Sequence, residues 1–136
     1  MASFKNDLQF GLKNELVVLP IIIKFFDDEI EHTINEKFKS YDFQGLKNNY
    51  ELKSRTNKHN AFKETLLGYN KKPTTDKSHI FLFKFTDGLF YIKYDETIFE
   101  NFEIKPFQRN KRIDFYDKKD LYYYIPYEKL TKIEVN

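Results

Sequence analysis

The 136-residue sequence predicts a small α/β domain: a mixed central β-sheet with a leading helix. Three observations carry that expectation. Leu8, Leu12, Leu19, Ile22 and Phe26 recur at spacings that put them on one side of a helix. Period-two alternation of apolar and polar residues then takes over, as in FKSYDFQ and YELKSR. Finally, Thr86-Asp87-Gly88 stands between IFLFKF and LFYIKY, a strong hairpin signal.

The elements follow in order. Pro20 inside the first helical stretch should kink it or open a second helix. Residues 29–37 can continue as helix. Residues 38–44 and 50–55 read as two strands, joined through GLKNN, whose Gly and Asn favour a tight turn. Residues 58–68 (KHNAFKETLLG) read as a short amphipathic helix, with Phe62, Leu66 and Leu67 inward and Gly68 as its stop. The hairpin around Asp87 comes next. A strand is expected at 121–125, and Pro126 should open a last helical turn. No repeat, linker or low-complexity segment divides residues 1–136, so one domain is expected.

Composition narrows the classes. This length suffices to bury a core. The absence of cysteine excludes disulfides and thiolate zinc sites. The longest apolar run, LVVLPIII, is short and carries a proline, so no membrane partner is expected. A soluble intracellular protein, cytoplasmic or nuclear, is the resulting expectation. The net charge of +2 is unevenly spread. Residues 1–45 carry five lysines against eight acids, whereas residues 46–72 carry seven basic residues against two acids. Such a positive block suits a phosphate-bearing partner, although solvation is the ordinary role of any single lysine in it.

That block begins beside YELKSR. Alternate side chains on a strand share a face, so Glu51 and Lys53 should point one way and Tyr50 and Leu52 the other. If the preceding turn holds an even number of residues, Asp42 joins Glu51 and Lys53 on one face. Two neighbouring carboxylates repel unless a cation lies between them. Their oxygens, with a backbone carbonyl such as that of Leu52, suit Mg2+ or Mn2+. A nearby lysine can stabilise charge on a phosphate under attack. Glu15 continues the apolar stripe of the first helix; it either reaches water at the stripe's edge or points at the same cation. The tripeptide acid-x-Lys is unspecific, since Glu103-Ile104-Lys105 and Asp117-Lys118-Lys119 repeat it. Pro106 argues against a central strand at the former, and the latter lies in a charged stretch.

Glu15 in the first helix, Asp42 in YDFQG, Glu51-x-Lys53 in YELKSR and the basic stretch KHNAFKETLLGYNKK together resemble the PD-(D/E)XK nuclease superfamily. Among its members the pattern is similar to small Holliday junction resolvases and related viral and phage endonucleases. Tyr41 stands where that pattern has proline. The motifs span residues 15–53, under a third of the chain. The resemblance implies a restriction-endonuclease-like mixed sheet flanked by helices. It also implies Mg2+- or Mn2+-dependent hydrolysis of DNA, double-stranded or branched. Asp42, Glu51 and the Leu52 carbonyl would be metal ligands, Glu15 would assist, and Lys53 would face the phosphate or the water. Arg55, Thr56, Asn57, Lys58, Lys63, Lys71 and Lys72 would hold the DNA backbone. Resolution of a junction would call for a homodimer. Two other readings stay open: a nucleic-acid-binding module that does not cut, and a protein-interaction domain in which Glu51 and Lys53 form only a cross-sheet ion pair.

Overall fold

A computed structural model describes residues 4–33, 41–69, 73, 77–106 and 121–134, with side chains of the first helix from Lys13 onward. Helix α1 spans Phe4–Phe26 and turns Val18 and Ile22 inward. It stays one helix through Pro20. A proline deprives the carbonyl four residues earlier of its donor; that residue, Leu16, lies on the exposed side, where water can replace it. The helix ends at Asp27, which adopts a left-handed φ of 49°.

Strands β1 (Ile30–His32), β2 (Phe43–Gly45) and β3 (Asn48–Ser54) follow as an antiparallel meander. The expected helical continuation after residue 29 is thus a strand from Ile30 to His32, and residues 34–40 lie outside the described part. Strand β3 begins two residues earlier than expected, which leaves only Leu46–Lys47 as the turn. That even count is what brings Asp42 and Glu51 toward one another. β3 pairs parallel with β5 (Ser78–Phe85), which forms a hairpin with β6 (Gly88–Lys93) across Thr86–Asp87. Gly88, at φ 157°, occupies a conformation other residues rarely adopt.

The crossover from β3 to β5 departs from expectation. In place of a basic helix at 58–68, it contains strand β4, Glu64–Gly68. Along β4 Thr65 and Leu67 are buried, while Phe62 is exposed rather than inward. The apolar positions of this short run are compatible with either period. Pairing decided it: every residue of β4 lies opposite one of β8 (Leu121–Pro126), whose tyrosines favour a sheet. β8 also pairs with β7 (Glu103–Pro106), giving a second, three-stranded sheet. A short helix α2 (Glu96–Phe99) is capped by Asp95, and a 3-10 turn (Tyr127–Lys129) follows Pro126 as expected. Strand β9 (Thr131–Lys132) completes the six-stranded sheet on β6.

The result is three layers. Helix α1 covers one face of the large sheet, against Phe43, Tyr50, Leu52, Ile80 and Leu82. The small sheet covers the other, with Leu67, Tyr123 and Ile125 packed among Phe81, Phe83, Phe90 and Ile92. Strict alternation along β5 feeds both cores. The expected mixed α/β sheet is present; among the described residues the expected helical cover is found on one face only, because the crossover carries a strand. Most phenylalanines of IFLFKF and LFYIKY are core. No helix among the described residues is long and apolar enough to cross a membrane.

Candidate functional site

The site is positioned by a buried carboxylate that the sequence pattern did not flag. Asp28, just beyond α1, accepts hydrogen bonds from the Lys47 N–H (3.0 Å), the Asn48 N–H (3.3 Å) and the Tyr50 hydroxyl (2.8 Å). It therefore ties the end of α1 to the β2–β3 turn. Burial would raise its pKa, but the hydroxyl and the amides outweigh burial and hold it below the ordinary value. Burial, with the Asp28 carboxylate beside it, pushes the Tyr50 hydroxyl far up, so it stays a donor. Gly45 is required at this turn, because a Cβ there would lie 2.1 Å from Asp28 Oδ2.

With the turn anchored, the ladder between β2 and β3 ends at Phe43 opposite Tyr50. Just beyond it, the Asp42 N–H donates to the Tyr50 carbonyl (2.9 Å). The Asp42 side chain then takes the place of a strand partner: its Oδ2 accepts the Leu52 N–H at 2.7 Å. Thr33 clamps the same residue, its hydroxyl donating to the carbonyls of Tyr41 (2.7 Å) and Asp42 (2.9 Å). A strand residue points its N–H and C=O the same way, so the Leu52 carbonyl also faces the Asp42 side.

Glu51 is buried, its side chain only 4% exposed, and Lys53 is 27% exposed with its Nζ 3.0 Å from Glu51 Oε2. This ion pair runs along one strand, not across the sheet. Asp42 feels the surrounding charges. Burial, opposed by the Leu52 N–H and by Lys53 and assisted by Glu15 and Glu51, raises its pKa to about 6. Glu15, Glu51 and Lys53 thus all lie near enough to bias the Asp42 carboxyl, Glu51 and Lys53 on the sheet face of Phe81 and Phe83 and Glu15 on the helix that covers the opposite face. The rival copy is a useful contrast. Lys105 Nζ lies 2.9 Å from Glu103 Oε2, but those side chains are 52% and 66% exposed on the outer strand β7. The same tripeptide gives a solvated pair there and a desolvated one here.

Glu15 has a partner that the pattern missed. Its Oε1 lies 2.6 Å from His32 Nε2, and the imidazole packs against the Phe43 ring. Ile30-Glu31-His32 alternates buried and open positions, a period-two cue obscured by its brevity. By kind, the carboxylates and the Leu52 carbonyl fit a hard divalent cation. Among the described residues, however, no three acids or histidines stand together as a ready-made metal cage. Lys53 holds one oxygen of Glu51 and His32 holds one oxygen of Glu15.

The expected backbone-holding residues divide. Arg55 is committed to the fold: its Nη2 donates to the Leu66 carbonyl at 2.6 Å and its guanidinium lies over the Phe83 ring. Asn57 donates from Nδ2 to the Lys58 carbonyl, and its own carbonyl receives the Thr86 N–H. Thr56, Lys58 and Lys63 are exposed, and Lys71 and Lys72 lie outside the described residues. His59 is fixed by Asp87 through both its Nδ1 (2.6 Å) and its N–H (2.9 Å). No protein-family model, curated protein or solved structure matches the chain.

Proposed function

We propose that this chain is a divalent-metal-dependent DNA endonuclease whose centre is Asp42, Glu51 and Lys53 with Glu15 beside them. Its restriction-endonuclease-like organisation is part of the same proposal. The observation that carries it is the concentration of carboxylates around Asp42, whose proton is held up to about pH 6 by burial and by Glu15 and Glu51. A fold gains nothing structural from placing like charges together; perturbed, clustered carboxyls are a feature of functional sites.

A divalent cation held there would supply polarisation of the phosphate and relief of the carboxylate repulsion. The chain's own residues do the rest. Asp42 is oriented by the Leu52 N–H, which leaves its other oxygen free of that bond. Lys53 keeps its ammonium beside Glu51 and is open enough to reach a phosphate. The His32 imidazole, 2.6 Å from Glu15, fixes the orientation of that carboxylate beside the site. In the reaction, a water oxygen bonds to phosphorus, the bond to one strand-end oxygen breaks, and that oxygen receives the proton.

Cleavage of plasmid and branched-junction DNA with Mg2+ or Mn2+ tests this. Asp42→Ala and Glu51→Ala should each remove product; equal activity in wild type and both variants would reject the site. One observation favours a second reading, a module that binds nucleic acid without cutting: Glu51 and Glu15 are already engaged by Lys53 and His32. Salt-sensitive binding with no product under either metal would select it.

A further inference from the structure

A second feature lies just past the proposed centre. The loop after β3, strand β4 and the end of β5 enclose a cleft of about 470 Å3. Arg55, His59, Phe62, Lys63, Glu64 and Tyr124 are among its walls. Phe62 is 66% exposed, although it lines a concavity that could have buried it. The His59 ring is immobilised: Asp87 grips its Nδ1, and the Phe90 ring stacks on it at 4.5 Å between centroids. The ring covers the edge of the core at Phe85 and Phe90, while His59 and Asp87 themselves stay partly exposed.

We infer that this cleft is a binding site for one unpaired nucleotide of a nucleic-acid strand. The inference rests on the nucleic-acid reading above for its ligand class and on the cleft alone for its location. A nucleotide needs a flat apolar surface for the base and positive donors for the phosphate. Phe62 offers the former at the rim. Lys63 offers the latter, and Arg55 adds positive potential from the wall while bonded to Leu66. Glu64, the acid in the wall, provides an acceptor for an N–H of a base. The volume is of the size of small-ligand pockets and far too small for a duplex. The substrate would therefore carry an unpaired or extruded base, as single-stranded or branched DNA does.

Fluorescence anisotropy of labelled oligothymidylate, about ten nucleotides long, on the full chain in EDTA reads the site without cleavage. Phe62→Ala should weaken this binding about tenfold or more and leave the unfolding midpoint unchanged, while binding of a blunt duplex stays the same. Displacement by thymidine monophosphate separates the sources. Loss of both ligands in the variant assigns the cleft to nucleotides in general, and loss of the oligonucleotide alone assigns it to strands. If Phe62→Ala binds both as wild type does, the inference is overturned, even if Asp42-dependent cleavage is found. If cleavage is absent but the Phe62 effect is present, the cleft stands and the nuclease reading falls.

Discussion

Replacing Asp42 by Asn should stabilise the protein while removing any activity. Asn is isosteric and its carbonyl oxygen can still accept the Leu52 N–H, so geometry is kept. What disappears is a charge held near Glu15 and Glu51 in a desolvated place. The pKa of Asp42 rises from the ordinary 3.8 to about 6, and each unit corresponds to 1.36 kcal/mol, giving about 3 kcal/mol. The folded state holds this proton more tightly than the unfolded chain does. Its stabilising contribution is therefore complete below pH 3.8 and lost as the pH rises through about 6. Urea or thermal unfolding of both proteins from pH 4 to 8, in EDTA, measures it. At pH 8 the variant should be more stable, its melting temperature higher by about 10 °C; at pH 4 the two should coincide. Asp28, whose lowered pKa acts in the opposite direction, is common to both proteins and cancels in the difference. A variant less stable than wild type at pH 8, or a difference that does not change with pH, would refute the electrostatic account of the site.

Two further outcomes concern the anchor of the turn. Asp28→Ala should cost about 3 kcal/mol by chemical denaturation at neutral pH, because it strands the Tyr50 hydroxyl and two turn amides. Gly45→Ala should cost about 2 kcal/mol, since its Cβ forces Asp28 aside; a Gly45→Ala protein as stable as wild type would show that the carboxylate is not fixed there.

Strand and hairpin patterns in the middle of the chain were legible because their periods were long and consistent: IFLFKF and LFYIKY alternate over many residues and meet at a two-residue turn. KHNAFKETLLG was not, because Phe62, Leu66 and Leu67 satisfy either period and the partner strand that decides lies more than fifty residues away. Ile30–His32 was misread for a similar reason, three residues being too few to show a period. In the site, Glu51 and Lys53 were readable from spacing within one strand, and Asp42 from the parity of the turn. His32 and Asp28 were not, since each acts through a residue distant in sequence.

From the order of residues alone come the alternation that makes two cores, the absence of thiol chemistry, and the placing of Glu51 and Lys53 on one side of a strand. These follow from local geometry, which a chain carries wherever it goes. Only the tertiary structure decided that Glu51-Leu52-Lys53 is desolvated while Glu103-Ile104-Lys105 is not, that Glu15 meets His32, and that a strand rather than a helix covers the second face. Those outcomes depend on which distant segments exclude water from a given side chain, and burial is a property of the packed molecule.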